Sequence, residues 1–222
     1  MRLGLCHHIE GTDASEGAVA LARGRAKAAG LEIAYRVEDA NEAELPRSRY
    51  DLVLVKQALH HFSRLEHVLD QVRQCLRPGG WLALNEYVGP SRFQWTDLQL
   101  SIMNTLLVTL PESLRRVGAA GSPVRQRVER PSPQQVSEHD PSEAVRSSDV
   151  LALVEERFEI VARRDAGGTV LAPLLDGMVG GFDPADEKAV ALLRLLCETE
   201  GLLLAHRVLP SDYVVLMAHP RP

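Results

Sequence analysis

The stretch LDQVRQCLRPGGWLALNEYVGP, residues 69–90, predicts the end of a helix, a sharp stop and a buried strand. Ser63 and Glu66 predict a capping box where this helix begins. Arg77-Pro78-Gly79-Gly80 predicts its end, and Trp81 to Tyr87 predicts the strand that follows. The helix shows one apolar face, made by Leu65, Val68, Leu69, Val72 and Leu76.

Upstream of this unit the same alternation continues. Short β-rich runs predict strands at Ile9–Thr12, Ile33–Val37 and Tyr50–Val55, and an alanine-rich run predicts a helix at 14–29. Strands that alternate with helices at this spacing predict right-handed crossovers and a parallel sheet. The fold class expected is therefore α/β, Rossmann-like, with helices on both faces of the sheet.

Downstream of Gly89-Pro90 the pattern becomes more helical. Residues 111–141 are rich in Pro, Ser, Arg and Gln, without periodicity, which predicts a mobile loop or lid. The remaining predicted elements are helices at Trp95–Leu110, Ser148–Arg157 and Pro184–His206, and strands at Phe158–Arg164 and Tyr213–Ala218. We expect residues 1–90 to form the Rossmann-like part, 91–150 a helical cap or lid, and 151–222 the strands and helices that complete the domain.

Composition limits the classes of function. The chain has 222 residues, is 45% hydrophobic and carries a net charge of −5, which allows a sizeable core and argues against a nucleic-acid partner. Three widely spaced cysteines suggest a reduced compartment. No apolar run reaches the roughly 20 residues of a membrane span. We therefore expect a cytoplasmic protein that does not bind membranes.

Two acidic residues follow predicted strands. Asp13 stands between a strand and a helix, where a carboxylate can accept both hydroxyls of a ribose; the alternative is a helix cap, with Glu16 completing it. Asp39 follows the next strand, where it can accept from an adenine amino group while Ala40 leaves room for the ring; the alternative is an exposed loop acid. Ligands of open α/β sheets bind along this edge.

Two further segments follow strands at that edge. Lys56-Gln57-Ala58-Leu59-His60-His61 offers a histidine as a general base, or else a pair at a helix entry, one packed and one solvated. Asn85-Glu86-Tyr87 offers polar groups to a substrate, or else only polar residues at a sheet edge. The motifs of serine hydrolases, zinc proteases and phosphate-binding loops are absent, and no metal is implied.

Taken together, GTDASEGAVALAR, VEDANEAELP, YDLVLVKQALHHF and the opening stretch resemble the class I S-adenosylmethionine-dependent methyltransferases, over residues 8–90. The small-molecule branch, with a methyltransferase type 11 or 12 domain, is the most similar. The resemblance implies S-adenosylmethionine as cofactor, a small-molecule acceptor and a seven-stranded sheet whose last strand is antiparallel. It implies cofactor-binding roles for Asp13, Ala14, Asp39, Ala40, Lys56, Gln57 and Ala58. His61 and Glu86 are the catalytic candidates.

One feature of that family does not match. Its first strand ends in an acid and a glycine-rich loop, whereas here only MRLGLCHH precedes the first predicted strand. The absent strand would lie at the centre of the sheet and leave its neighbours unpaired. The alternatives are a truncated enzyme, which we favour, a non-catalytic methyltransferase-like binding or scaffold protein, and a chain that repairs the sheet as a homodimer. A nicotinamide-dependent dehydrogenase is disfavoured because it needs the same glycine motif.

Overall fold

The computed structural model describes residues 6–118 and 121–222. Its strands are β1 (Glu10–Asp13), β2 (Ala34–Val37), β3 (Tyr50–Lys56), β4 (Leu76–Tyr87), β5 (Phe158–Gly167) and β6 (Tyr213–Pro220). Its helices are α1 (Glu16–Ala28), α2 (Leu65–Cys75), α3 (Asp97–Leu107), α4 (Pro133–His139), α5 (Val150–Arg157), α6 (Leu171–Leu175) and α7 (Glu187–Ala205). The α/β alternation predicted from the sequence is confirmed.

The strands form two hydrogen-bonded groups. β1 pairs in parallel with β2, and a four-stranded sheet has the order β3-β4-β6-β5. β3 and β4 are parallel, whereas β6 runs antiparallel to both of its neighbours, which confirms the predicted antiparallel last strand. Within the described residues no ladder joins β1 to β3. A side-chain cluster connects them instead, because Glu10 accepts from Arg49 at 2.6 Å and from the Tyr50 hydroxyl at 3.0 Å.

Two hydrophobic clusters stabilise the structure. The first lies between the four-stranded sheet and helices α2 and α5, with Leu69, Leu82, Phe158 and Leu216 fully buried. The second holds together a helical cap made of α3, α6, α7 and part of the chain between α3 and α4. A separate core under the cap allows it to lie over the end of the sheet as a unit.

The start of α2 differs from the prediction. The capping box of Ser63 and Glu66 is wrong: the side chain of Asn41 accepts from the backbone N–H of Arg64 at 3.0 Å, and no side chain caps the helix at its own N-cap. Glu66 pairs instead with Arg146, at 2.7 Å. Partners that are distant in the chain, Asn41 and Arg146, thus replace the local capping interactions at the start of α2.

Residues 111–141 contain more regular structure than predicted. Helix α4 begins with a capping box between Ser132 and Gln135, and Asn104 of α3 holds the backbone of Val128 through a hydrogen bond of 2.9 Å. The expectation of a stretch without periodic structure is therefore wrong for the α4 region. The pattern Ser-x-x-Gln was the signal that could have revealed this helix.

No helix in the described ranges, 6–118 and 121–222, has both the length and the apolar character needed to cross a bilayer.

Candidate functional site

The two acids of the predicted nucleoside site lie at the ends of adjacent parallel strands. Asp13 is paired in register with Val37, so the carboxyl ends of β1 and β2 coincide. The Asp13 carboxylate accepts from the backbone N–H of Ser15 at 2.8 Å, and that of Asp39 accepts from the backbone N–H of Asn41 at 2.9 Å. Both acids are exposed. The structure therefore brings them to one edge and orients each by a backbone turn.

Asp13 is not the cap of α1. The N-cap is Ser15, whose hydroxyl accepts from the backbone N–H of Ala18 at 3.2 Å, so the capping interpretation of Asp13 with Glu16 is wrong. Ala14 lies exposed in the turn between them. Beyond Asp39, Ala40 is half-buried against the core of the four-stranded sheet. A ligand held by Asp13 would therefore not compete with the helix for its carboxylate.

The segment after β3 turns sharply. Gln57 adopts a positive φ of 51°, a conformation rare for a residue other than glycine. Its backbone N–H donates to the carbonyl oxygen of Asn85 at 2.8 Å, and its side-chain amide donates to the side-chain oxygen of Asn85 at 3.2 Å. Lys56, at the end of β3, is exposed. This turn directs the following residues, Ala58 to His61, across the end of β4.

Glu86, fully buried at the end of β4, organises that turn. Its carboxylate accepts from the backbone N–H groups of Ala58, Leu59 and Tyr87 at 2.8, 2.7 and 2.8 Å. The same carboxylate is hydrogen-bonded to the Nδ1 atom of His60. The pair that the structure forms is thus His60–Glu86, whereas the sequence suggested His61 as the catalytic histidine.

Both histidine side chains also contact the segment that follows α4. The Nε2 atom of His60 lies 3.6 Å from a carboxylate oxygen of Glu143, and Nδ1 of His61 lies 3.1 Å from the hydroxyl of Ser142. The carbonyl of His60 accepts from the backbone N–H of Val145 at 3.0 Å. The candidate ligand atoms of His60, His61 and Glu143 lie within 4.8 Å of one another, so this group could hold a metal ion.

Two arginines fix residues 140–146 over the histidines. Arg92 donates to the carbonyl oxygens of Pro141 and Glu143 at 2.8 and 2.9 Å. Arg146 donates two hydrogen bonds of 2.7 Å to Glu66 of α2 and holds the pKa of that carboxyl at about 2. Nothing in the sequence signals these pairs, because about 50 or more residues separate the partners.

A cavity of about 470 Å³ opens between the end of the sheet and the cap. Its aromatic lining is Tyr87, Phe93, Trp95 and Tyr213, and its remaining lining includes Arg125, Arg127, Val128, Glu129, Pro131, Gly168, Ala172, Pro173 and Asp176. The ring of Tyr87 also lies edge-on to that of His60, with centroids 6.0 Å apart. Another cavity, of about 480 Å³, lies between α1 and β2 and borders none of the predicted site residues.

Comparison with known proteins finds a family match for the N-terminal part. Residues 1–84 match the family described as "Methyltransferase domain". A demethylmenaquinone methyltransferase from Bacteroides fragilis is 27% identical over 124 residues, which are 53% of this chain and 51% of that protein. A 27-O-demethylrifamycin SV methyltransferase from Amycolatopsis mediterranei is 34% identical over 82 residues, 36% of this chain and 30% of that protein. The chain thus spans about half, or less, of the lengths of these relatives.

Solved structures extend the similarity of fold to nearly the whole chain. The geranyl diphosphate C-methyltransferase from Streptomyces coelicolor A3(2), solved with Mg²⁺, geranyl diphosphate and S-adenosyl-L-homocysteine, has a TM-score of 0.55 to this chain. It is 10% identical, and the match covers 96% of this chain and 64% of that one. The fold is therefore that of the Rossmann-like methyltransferases.

Proposed function

We propose that this chain, whose residues 1–84 match the methyltransferase-domain family, is a class I S-adenosylmethionine-dependent methyltransferase that transfers a methyl group to a small-molecule acceptor. One observation carries the proposal: acids follow β1 and β2, and a buried histidine–glutamate pair lies where β3 and β4 end, so all of these groups stand at the carboxyl ends of parallel strands. The loop that bears Asp39 reaches the start of α2, where Asn41 accepts from Arg64, three residues after His61. Open α/β sheets bind ligands outside the carboxyl ends of their strands.

S-adenosylmethionine is the cofactor of this class, and the described residues fit its nucleoside end. Asp13 and Asp39 each use one carboxylate oxygen in a backbone turn, and the second oxygen makes no hydrogen bond to any described residue. In this proposal Asp13, beside Ala14, accepts from the ribose hydroxyls, and Asp39 with Ala40 borders the adenine. Lys56, Gln57 and Ala58 adjoin the same site.

When bound, the cofactor supplies a methyl group on a positively charged sulfur. The chain's own contribution is a base that removes the proton of an acceptor hydroxyl. The Glu86 carboxylate accepts from Nδ1 of His60, so Nε2 keeps a free lone pair in the neutral ring. Nε2 then takes the hydroxyl proton, and the carboxylate of Glu143, 3.6 Å away, stabilises the resulting imidazolium. In this proposal Glu86 is a positioning residue, and His61 with Ser142 lines the site.

In this proposal the cap shields the reacting groups from water. Residues 140–146 cover His60 and His61, and Arg92 and Arg146 hold them there. Methyl transfer by in-line displacement needs mainly alignment and a dry site, which a covering segment provides. We therefore propose that residues 91–150, as a lid, and the cavity beneath the cap set the choice of acceptor.

A non-catalytic binding protein is the second candidate. It is favoured by the edges of β1 and β3, which no described strand pairs, next to the nucleoside site. Such a protein would bind the cofactor or the acceptor and transfer nothing. Binding and transfer must therefore be measured separately.

Calorimetric titration with S-adenosylhomocysteine tests the binding. Asp13→Asn and Asp39→Asn should each weaken it at least about tenfold, because each removes a charged acceptor of a hydrogen bond. Asp183→Asn is the matched control, because Asp183 makes the same backbone turn, at 2.8 Å to Ala185, and lies just before α7 instead of at a strand end. Equal weakening by the control variant, or no saturable binding of the original chain, would refute the proposed site.

Transfer of a labelled methyl group from S-adenosylmethionine to a panel of hydroxylated small molecules tests the reaction. His60→Gln should lower the rate by about 10²–10⁴, the usual contribution of a general base. His139→Gln is the control, because His139 is exposed on α4. Each assay is repeated with a chelator, and a rate lost with the chelator would assign the His60–His61–Glu143 group to a metal instead of a proton. Binding without any transfer would favour the second candidate.

A further inference from the structure

We infer that the acceptor is a flat, conjugated ring compound that carries a hydroxyl group, held in the cavity beneath the cap. The inference rests on the proposed function for the transfer step but not for the binding. The chain has only two Trp, four Tyr and four Phe, and four of these ten residues line this one cavity. Aromatic residues are thus few in this chain, and a large share of them lines a single cavity.

The four rings form a continuous wall. Trp95 stacks near Phe93, with centroids 5.7 Å apart and planes 24° apart. Phe93 then meets Tyr87 at 5.5 Å, and Tyr87 meets Tyr213 at 5.2 Å, both tilted by 58°. A further aromatic ring placed against this wall gains stacked and edge-to-face contacts that a saturated ring of the same size does not.

The rest of the cavity is lined mainly by small side chains and backbone. Val128, Pro131, Ala172 and Pro173 contribute short apolar surfaces. At Gly168, whose φ is +78°, any Cβ would collide with the ring of Tyr213, so that ring lies directly against the backbone. The volume, about 470 Å³, falls within the range of about 300–1,000 Å³ usual for small-molecule sites. The cavity therefore suits one or two fused rings.

The charged groups of the lining do not favour an ionic acceptor. Arg125 donates to the carbonyl oxygens of Pro173 and Leu174, and its guanidinium lies 3.8 Å from the carboxylate of Asp176. These protein groups already satisfy the charge of Arg125. Arg127 and Glu129 are exposed and of opposite sign. The two positive and two negative side chains of the lining thus balance one another. The aromatic surface is therefore the main feature by which the cavity would distinguish one acceptor from another.

Two hydroxyl groups define the polar contacts. Tyr87 donates to the carbonyl of Pro90 at 3.1 Å, whereas the Tyr213 hydroxyl has no hydrogen bond to any other residue between 6 and 118 or 121 and 222. Burial raises the pKa of Tyr213, so this hydroxyl stays protonated and can donate to an oxygen on the bound ring. The ring of Tyr87, which lines the cavity, lies edge-on to that of His60 with centroids 6.0 Å apart, so the cavity and the histidine are neighbours across one aromatic ring.

Calorimetry with 2-naphthol and with its saturated analogue decahydro-2-naphthol tests the inference on the full chain without cofactor. We expect saturable binding of 2-naphthol and at least about tenfold weaker binding of the saturated alcohol. Trp95→Leu should weaken 2-naphthol about three- to tenfold, as expected for one lost aromatic contact. Trp95→Phe keeps a ring and should retain most of the affinity. Trp81→Leu, which removes a ring outside the cavity, should change nothing.

Equal affinity for the two alcohols, or no saturable binding of 2-naphthol to folded protein, would overturn the inference. A loss in Trp81→Leu as large as in Trp95→Leu would do the same. Circular dichroism confirms that each variant is folded. If 2-naphthol binds but S-adenosylhomocysteine does not, the proposed function fails and the ring site stands. If S-adenosylhomocysteine binds but 2-naphthol does not, only the ring site fails.

Discussion

The Nε2 atom of His60 lies 3.6 Å from a carboxylate oxygen of Glu143, while Nδ1 of the same ring is bonded to the buried carboxylate of Glu86. One histidine thus lies between a carboxylate of the sheet and a carboxylate of the segment that covers it. In the proposed mechanism the covering segment therefore supplies one of the two carboxylates that flank His60, as well as covering the site.

Glu143→Gln should lower kcat for methyl transfer about tenfold and leave KM nearly unchanged, because the charge of Glu143 matters after the proton has moved to His60. Steady-state kinetics with the best acceptor of the panel measure both constants. Glu138→Gln is the matched control, since Glu138 lies exposed on α4 and contacts Gln134. A rise in KM with unchanged kcat would mean that Glu143 only binds the acceptor.

Glu86→Gln should reduce both stability and activity. The two oxygens of the Glu86 carboxylate accept from three backbone N–H groups, whereas a glutamine amide has only one acceptor oxygen. The NH₂ group of the glutamine would therefore face a backbone N–H group, donor against donor. We expect a loss of about 1–3 kcal/mol in the free energy of unfolding, measured in urea. Activity should fall about 10–100-fold, as for other residues that orient a functional histidine. Unchanged stability would contradict the buried network.

Asp13→Ala should weaken binding of S-adenosylhomocysteine with little effect on stability, because Asp13 does not cap α1. Ser15→Ala should do the opposite and lower the free energy of unfolding by about 1 kcal/mol, the usual loss for an N-cap. Thermal unfolding and calorimetry of the two variants separate the roles. If Asp13→Ala is the less stable variant and binds normally, its role is structural.

The stability of the protein should fall as the pH rises from about 4 through about 7. Burial raises the pKa of Asp212 to about 7, so the folded state holds the proton that an unfolded aspartic acid releases near 3.9. The free energy of unfolding should therefore decrease by about 2–4 kcal/mol across this range. Asp212→Asn cannot ionise and should be the more stable form at pH 8. Asp183→Asn, an exposed control, should keep the original slope.

Limited digestion with trypsin should cut first after Arg127. This arginine is exposed and has no hydrogen bond to another described residue, whereas Arg125 and Arg130 donate to backbone carbonyls. Because Arg127 lines the cavity beneath the cap, 2-naphthol and S-adenosylhomocysteine together should slow the cut. Arg127→Gln should remove the early fragment. Cleavage at the same rate with and without ligands would argue against closure of the cap over the cavity.

Most of the secondary structure was predictable because its signals are local. Apolar periodicity identified α2, and the run YDLVLV identified β3, both within about two residues of their observed limits. The α4 region was missed because a short helix with a capping box resembles a polar loop in composition. The capping box of α2 failed for the opposite reason: distant partners replaced a local one.

The sequence alone determined the α/β class, the edge that carries Asp13 and Asp39, and the similarity to methyltransferases, since each depends on short-range patterns. That similarity in turn implied the antiparallel final strand. Only the tertiary structure decided that His60, not His61, pairs with Glu86, that Glu143 joins them, and that four aromatic rings share one cavity. The contacts of His60 with Glu86 and Glu143, and of Tyr87 with Tyr213, join residues about 25 to 125 positions apart. Neighbouring histidines on a short turn point to different surroundings, and only the packing of strands and cap selects which one meets the buried carboxylate.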